Sequence, residues 1–171
     1  MNEIAVEDPE DWWAVEALYD LCFGPTRSAL SSYRLRQGPP CRPLCLTVGD
    51  HGQTAAAIRF WPAQVSAQPV LLLGPVAVHP TRQGEGLGRA LIREGLSRAE
   101  ALGWARVLLV GDAPYYGRFG FHRVTGVRLP PPTNPDRVLG LSLPRGDWGA
   151  LTGDVRAWTG PPLPEDGRMP I

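Results

Sequence analysis

The chain has 171 residues, 43% of them hydrophobic, which suits one globular domain with a substantial core and at most a tail besides. All 17 basic residues are arginine and they balance 17 acidic ones, so no charge bias toward nucleic acid or an anionic membrane is present. Cys22, Cys41 and Cys45 form an odd set without a second Cys/His pair at zinc spacing, and His51, His79 and His122 stand alone; neither a disulfide framework nor a metal site is expected.

The start of the chain (Asn2, Glu3, Glu7) lacks a basic region followed by a long apolar run. No signal peptide or membrane span is expected, and a reducing cytoplasm is the expected setting. Ile4–Val6 reads as a first strand. Asp8 then offers an N-cap and Pro9 a first helical residue. Trp13, Ala17 and Leu21 recur at helical spacing, with Leu18 beside them, until Gly24-Pro25 ends the helix. Ser28 to about Gln37 reads as a second helix, stopped by Gly38-Pro39-Pro40. Leu44–Val48 and Ala55 to about Val65 read as strands joined by the turn Gly49-Asp50-His51-Gly52. Val70–Val78 is almost wholly apolar, as in a strand buried on both faces. It contains Gly74-Pro75, however, and proline cannot donate to a ladder, so the strand should bulge there.

A long helix opens at Gln83-Gly84-Glu85-Gly86-Leu87-Gly88 and stops at Gly103, with Arg89, Arg93, Ser97 and Glu100 on its polar face and Leu87, Leu91 and Ala99 on the other. Val107–Val110 is a buried strand, Asp112 to Arg118 a short helix, and Phe121–Val124 and Val138–Leu143 further strands. After Pro144 the composition turns to Gly, Pro and Trp. Residues 1–145 are therefore expected to form the domain and 146–171 a C-terminal extension, partly disordered from about residue 160.

The helix opening at 83–88 carries the strongest chemical signal. A helix start leaves backbone N–H groups without partners, and Ser, Thr, Asp or Asn usually caps one of them. Gly84, Gly86 and Gly88 offer no side chain there. Glycine lets main chain approach a bulky anion that the helix dipole favours, so the turn reads as a phosphate site. The competing reading is a tight turn whose glycines serve close packing. A dinucleotide fingerprint would need glycine where Arg89 stands, and a Walker loop needs lysine. Gln83, Gly86 and Gly88 do fit [Q/R]-x-x-G-x-[G/A].

In that loop the sequence resembles the GNAT superfamily of N-acetyltransferases. Leu73-Gly74-Pro75-Val76-Ala77-Val78-His79-Pro80 is similar to the family's bulged, splayed strand. The segment from Gly111 through Tyr115-Tyr116-Gly117-Arg118-Phe119-Gly120-Phe121 is similar to its second cofactor segment. Leu72 to Phe121, together with Arg59-Phe60-Trp61-Pro62, resembles a bacterial branch of predicted acetyltransferases. The resemblance implies an α/β (α+β) fold: a mixed, mostly antiparallel sheet of six to seven strands, split beside the bulged strand, with helices on both faces. It implies acetyl-coenzyme A as co-substrate and no metal. The pyrophosphate would lie on Gln83, Gly84, Glu85, Gly86, Leu87, Gly88 and Arg89, and the pantetheine along Val76, Ala77 and Val78. The acceptor would be an amine, on a small molecule or a protein N-terminus, with no nucleic acid or membrane partner; a homodimer is compatible.

Tyr116 stands four residues before Gly120, where the family places the tyrosine near the thioester sulfur. It is the candidate general acid for the departing thiolate, the alternative being a packing tyrosine that touches the cofactor. Tyr115 should point elsewhere. No glutamate lies between Thr54 and Arg82, and no base is nominated. Cys22 reads as core, and Trp61 is the tryptophan whose strand neighbours the cofactor strand. A non-catalytic acyl-coenzyme A sensor and an unrelated phosphate-binding module are the competing functions.

Overall fold

The computed structural model describes residues 3–170. Its elements in chain order are β1 (Ile4–Val6), α1 (Trp12–Phe23), β2 (Leu46–Asp50), β3 (Gln53–Val65), β4 (Gln68–Val78), α2 (Leu87–Ala101), β5 (Arg106–Val110), α3 (Ala113–Tyr116), β6 (His122–Arg123), β7 (Val127–Arg128), β8 (Val138–Ser142) and β9 (Gly153–Ala157). The strands pair in the order β1-β2-β3-β4-β5-β8-β6, with β9 joined to both β3 and β7. Pairing is antiparallel except between β4 and β5 and between β7 and β9. The sheet has nine strands rather than six or seven; β7 and β9 are the two that the sequence pattern did not announce.

The alternation of side chains along β3 separates two cores. Ile58 and Phe60 pack with Leu87, Leu91 and Ile92 of α2, while Ala57 packs with Val15, Leu18 and Tyr19 of α1. The helices thus cover opposite faces. Gly95 lets α2 come close: a Cβ there would lie 2.5 Å from the Phe60 ring. The face of α1 differs from expectation. Trp13 is 81% and Leu21 57% exposed, and the buried stripe is Val15, Leu18 and Tyr19. Apolar spacing alone marks a stripe; the strand beneath decides which one is covered.

The expected helix over Ser28–Gln37 is absent. Two short 3-10 segments, Arg27–Ala29 and Ser31–Leu35, break at the extended Leu30. Neither has a side-chain cap, and Leu35 is the one fully buried residue in them. The segment is instead tied to a distant loop, where Ser31 Oγ donates to Pro132 O at 2.8 Å and Arg34 Nη1 to Pro131 O at 3.3 Å.

The chain end also departs from expectation. β9 pairs Val155 with Val65 and Ala157 with Ala63, extending the β3 edge beyond β2. Past residue 160, where disorder was expected, Leu163 and Met169 pack on the main core. Trp104, buried, donates Nε1–H to Gly167 O at 2.8 Å, and Met169 N donates to Leu102 O at 3.1 Å. The prolines preclude regular structure in this segment but not docking, because the buried indole needs an acceptor.

Candidate functional site

The site grows from the break in β4. On its β3 side the register shifts between Ile58 and Phe60, opposite Gly74 (φ 128) and Pro75. On its β5 side pairing stops at Leu71↔Val107 and Leu72↔Leu108, although β4 runs on to Val78. The two parallel strands therefore part and leave one edge of β4 without a neighbouring strand. His79 N donates to Ala55 O at 2.7 Å, so the strand alternation turns Ala77 toward β3 and Val76 and Val78 toward the parting. Of the three residues nominated on this strand, Val76 and Val78 thus offer main chain to the gap. Ala77 does not: its side chain lies under α1 and its peptide groups face β3. Tyr19, fully buried, donates its hydroxyl to Pro75 O at 2.9 Å and so pins the bulge from the α1 side.

The Gly-rich turn follows. Gly86 is the N-cap of α2 at φ 81, and no side chain caps the helix. A Cβ on Gly84 (φ 86) or Gly86 would meet nothing within 4 Å. Close packing therefore does not explain these two glycines. Their left-handed conformation does, and the space above both is open. Gly88 does pack: its Cβ position lies 3.4 Å from Val78. Leu87 is buried in the core, and Arg89 is exposed. Gln83 donates to Val78 O at 3.4 Å, while Glu85 pairs with Arg82 at 2.7 Å, which lowers its pKa.

A cleft of about 480 Å³ occupies the parting, lined by Leu73, Gly74 and Val76 on one side and Leu109, Gly111, Tyr115 and Tyr116 on the other. The Tyr116 ring sits against Gly111, where a Cβ would come within 2.5 Å of it, and edge-on to Phe121 at 6.1 Å. Burial, reinforced by Tyr115 and opposed by Arg137, pushes its phenol up to about 12. Tyr116 is thus held protonated. Tyr115 lines the cleft as well, 5.0 Å away edge to face, with its hydroxyl 3.8 Å from the Cβ position of Gly88. It does not point elsewhere; it bridges toward the α2 turn. Asp112 caps α3 through Tyr115 N at 3.2 Å. His79 accepts from Thr81 N at 3.2 Å, and His122 is exposed. The Cys22 thiol, raised by burial, donates to Val78 O at 3.4 Å.

Behind the bulge lies a second concavity of about 290 Å³, lined by Trp12, Glu16, Asp20, Arg27, Tyr33, Arg36, Arg59, Trp61 and Pro75. Arg59, 2% exposed, pairs with Glu7 at 3.2 Å and Glu16 at 2.7 Å and lies 3.5 Å from the Trp12 ring centroid. Arg27 pairs with Glu16 at 3.1 Å and Asp20 at 3.0 Å. Burial raises the Glu7 carboxyl despite the Arg59 charge beside it. Sequence reasoning singled out Trp61 here but missed Glu7, Glu16, Arg27 and Arg36, which are scattered over separate elements. Arg59, a charge inside an apolar strand, was the local signal available. Among the described residues no group of three His, Cys, Asp or Glu side chains is placed to hold a metal.

A split sheet, an uncapped glycine turn at a helix start and a tyrosine-lined cleft are the parts of an acyl-transfer fold. The chain belongs to the acetyltransferase (GNAT) family, whose pattern matches residues 12–121. It is 32% identical over 120 residues to the uncharacterized N-acetyltransferase YhbS of Escherichia coli K12, spanning 69% of this chain and 72% of that one. The uncharacterized N-acetyltransferase YjhQ of the same organism is 30% identical over 126 residues, 71% and 70% of the two chains. Among solved structures, YhbS in complex with CoA superposes with TM-score 0.78 at 29% identity, covering 92% of this chain and 89% of that one. A GNAT acetyltransferase from Brucella melitensis in complex with acetyl-CoA gives 0.69 at 28% identity, covering 93% and 97%.

Proposed function

We propose that this protein binds acetyl-coenzyme A along the parting of β4 and β5 and transfers the acetyl group to an amine. The observation that carries the reading is one alignment. The uncapped start of α2 and the outward main chain of Val78 and Val76 follow one another toward the cleft that holds Tyr116. In this reading the N–H groups around Gly84, Gly86 and Gly88 receive the pyrophosphate, with Gln83, Leu87 and Arg89 flanking it. Val76 and Val78 pair with the pantetheine as a missing strand would.

The chemistry balances in one displacement. The amine nitrogen attacks the thioester carbonyl carbon, whose oxygen takes a hydrogen bond from Val76 N–H. The C–S bond breaks, Tyr116 gives its proton to the sulfur, and the tyrosinate regains one from solvent as the new ammonium loses its own. No helix among the described residues is long and apolar enough to cross a membrane, and a cytoplasmic setting is part of the proposal. So is the acceptor class, a small molecule or a protein N-terminus. The exposed Trp13 and Leu21 of α1 support a homodimer, which sedimentation would test. The test of the function is a panel of amines and N-terminal peptides screened for thiol release from acetyl-coenzyme A. Acceptor-dependent release is expected. Tight cofactor binding with no release from any amine would make the protein a sensor instead.

A further inference from the structure

Three buried side-chain polar atoms among the described residues find no hydrogen-bond partner: Arg36 Nε, Arg36 Nη1 and Trp61 Nε1. All three are donors, and both residues line the concavity behind the bulge. An orphaned buried donor costs free energy that native structures rarely leave uncompensated, and an arginine left so costs more. Its neighbours show the contrast. Arg27 and Arg59 in the same wall each hold two carboxylates, while Arg36 holds none. Arg36 is also fixed in place: its guanidinium stacks on Tyr33 at 4.3 Å, and Nη2 lies 3.0 Å from the Cβ position of Gly74. Burial lowers its pKa to about 10, which still leaves it charged at neutral pH.

We infer that Arg36 and Trp61 form the recognition site for a carboxylate on the amine acceptor, so that the acceptor class is a small amino-carboxylic acid. This rests on the acetyl-transfer reading of the adjoining cleft. A carboxylate has the lone pairs to accept from several donors at once, and guanidinium suits it in charge and in planarity. The half-exposed carboxylates of Glu16 and Asp20 in the same wall favour a single negative charge over a phosphate dianion. Position supplies the rest. Arg36 also lines the cleft containing Val76 and Tyr116, so a molecule anchored at Arg36 extends its amine past Gly74 toward the thioester. The pyrophosphate is not a competing claimant, because its turn opens α2, beyond the far end of β4.

The test uses the whole protein saturated with coenzyme A, titrated calorimetrically with each of the common amino acids and with its C-terminal amide. At least one acid should bind roughly tenfold or more tightly than its amide, the scale of a lost charge-assisted contact. Arg36→Met keeps the stem, gives up the stacking on Tyr33 but leaves no hydrogen-bond or ion-pair partner stranded, so it should fold; it should erase the acid–amide difference. Trp61→Phe should weaken acid binding by several-fold and leave amide binding alone. In turnover, Arg36→Met should raise the acceptor KM with kcat and the acetyl-coenzyme A KM little changed, as for an anchoring residue. Equal binding of acids and amides, no binding of any acid, or an acid preference surviving in Arg36→Met would each overturn the inference. Peptides with free C-termini outcompeting every amino acid would overturn its small-molecule claim. Acid binding that depends on Arg36 without thiol release from any amine would uphold this site while defeating the transfer reading.

Discussion

The two concavities flanking the β4 bulge are built on opposite principles. The side we assign to the cofactor is made of main chain: positive-φ glycines, an uncapped helix start and the turned-out edge at Val76 and Val78. Along the turn and the strand edge its requirement on side chains is that most be small or absent, and Tyr115 and Tyr116 are the large ones in its cleft. The side we assign to the acceptor is made of side chains, Arg27, Arg36 and Arg59 set against Glu7, Glu16 and Asp20, drawn from the exit of β1, α1, the 3-10 segments with the residue after them, and β3. A backbone site is specified by a short run of sequence and binds whatever every family member shares. A side-chain site is specified by distant positions and is free to differ.

Sharp tests of this division begin where the two sides meet. Tyr116→Phe preserves the ring against Gly111 but removes the proton. Turnover should fall by roughly 10²–10⁴-fold, the usual share of a positioned acid, with cofactor affinity within a few-fold. Full activity would leave protonation to water and make Tyr116 a packing residue. On the cofactor side, Gly86→Asp places a carboxylate in the phosphate path at a backbone conformation that aspartate tolerates. Affinity for acetyl-coenzyme A should drop on the order of 100-fold or more. Thermal stability should hold, since an acidic group suits a helix start. Unchanged affinity in a folded variant would remove the turn from the site.

Arg59→Leu is the reciprocal experiment. It strands Glu7 in the interior and should cost about 3–5 kcal/mol in denaturant unfolding. Because burial already raises the Glu7 pKa, the penalty belongs to the charged form. Relative to the parent, the variant should be least impaired in acid and lose stability as pH rises through the Glu7 pKa. A pH-independent deficit would contradict that account. A deletion of residues 160–171 probes neither concavity. It removes the acceptor of Trp104 and the packing of Leu163 and Met169, so about 1–3 kcal/mol should be lost. At about 2–4 °C per kcal/mol the melting temperature should fall by several degrees, with both affinities unchanged. The smallest effect is expected from pH on Tyr116 itself. Its raised pKa keeps it protonated, so turnover at saturating acceptor should rise as the acceptor amine deprotonates and show no alkaline fall up to about pH 10. A fall near neutral pH would assign the acid elsewhere.

The same division explains what the sequence disclosed. The glycines at 84, 86 and 88, the Gly74-Pro75 break and the position of Tyr116 are local patterns whose meaning is carried by adjacent residues; Gly74, Pro75 and Tyr116 line one cleft, and the glycine turn opens α2 after the end of β4. Ala77 differs from Val76 and Val78 because a strand alternates, and the His79–Ala55 hydrogen bond shows which parity faces the gap. The helix expected over Ser28–Gln37 failed because Ser31 and Arg34 answer to Pro131 and Pro132, a hundred or so positions away. Arg36 had no local sign at all. Its importance lies in what it lacks, and a missing partner is visible only once its surroundings are assembled.

The docked chain end has a bearing on how the protein comes into being. Synthesis runs from β1 onward, and domains begin to fold from the N-terminal side. β3, β4 and α2 can meet while β9 and Gly167 are still unmade. Until then the outer edge of Ala63–Val65 has no strand beside it and the Trp104 indole has no acceptor. Both vacancies close only once β9 and Gly167 have emerged from the ribosome, so the nascent molecule carries an open sheet edge until then, and a stop placed before β9 would make that exposure permanent.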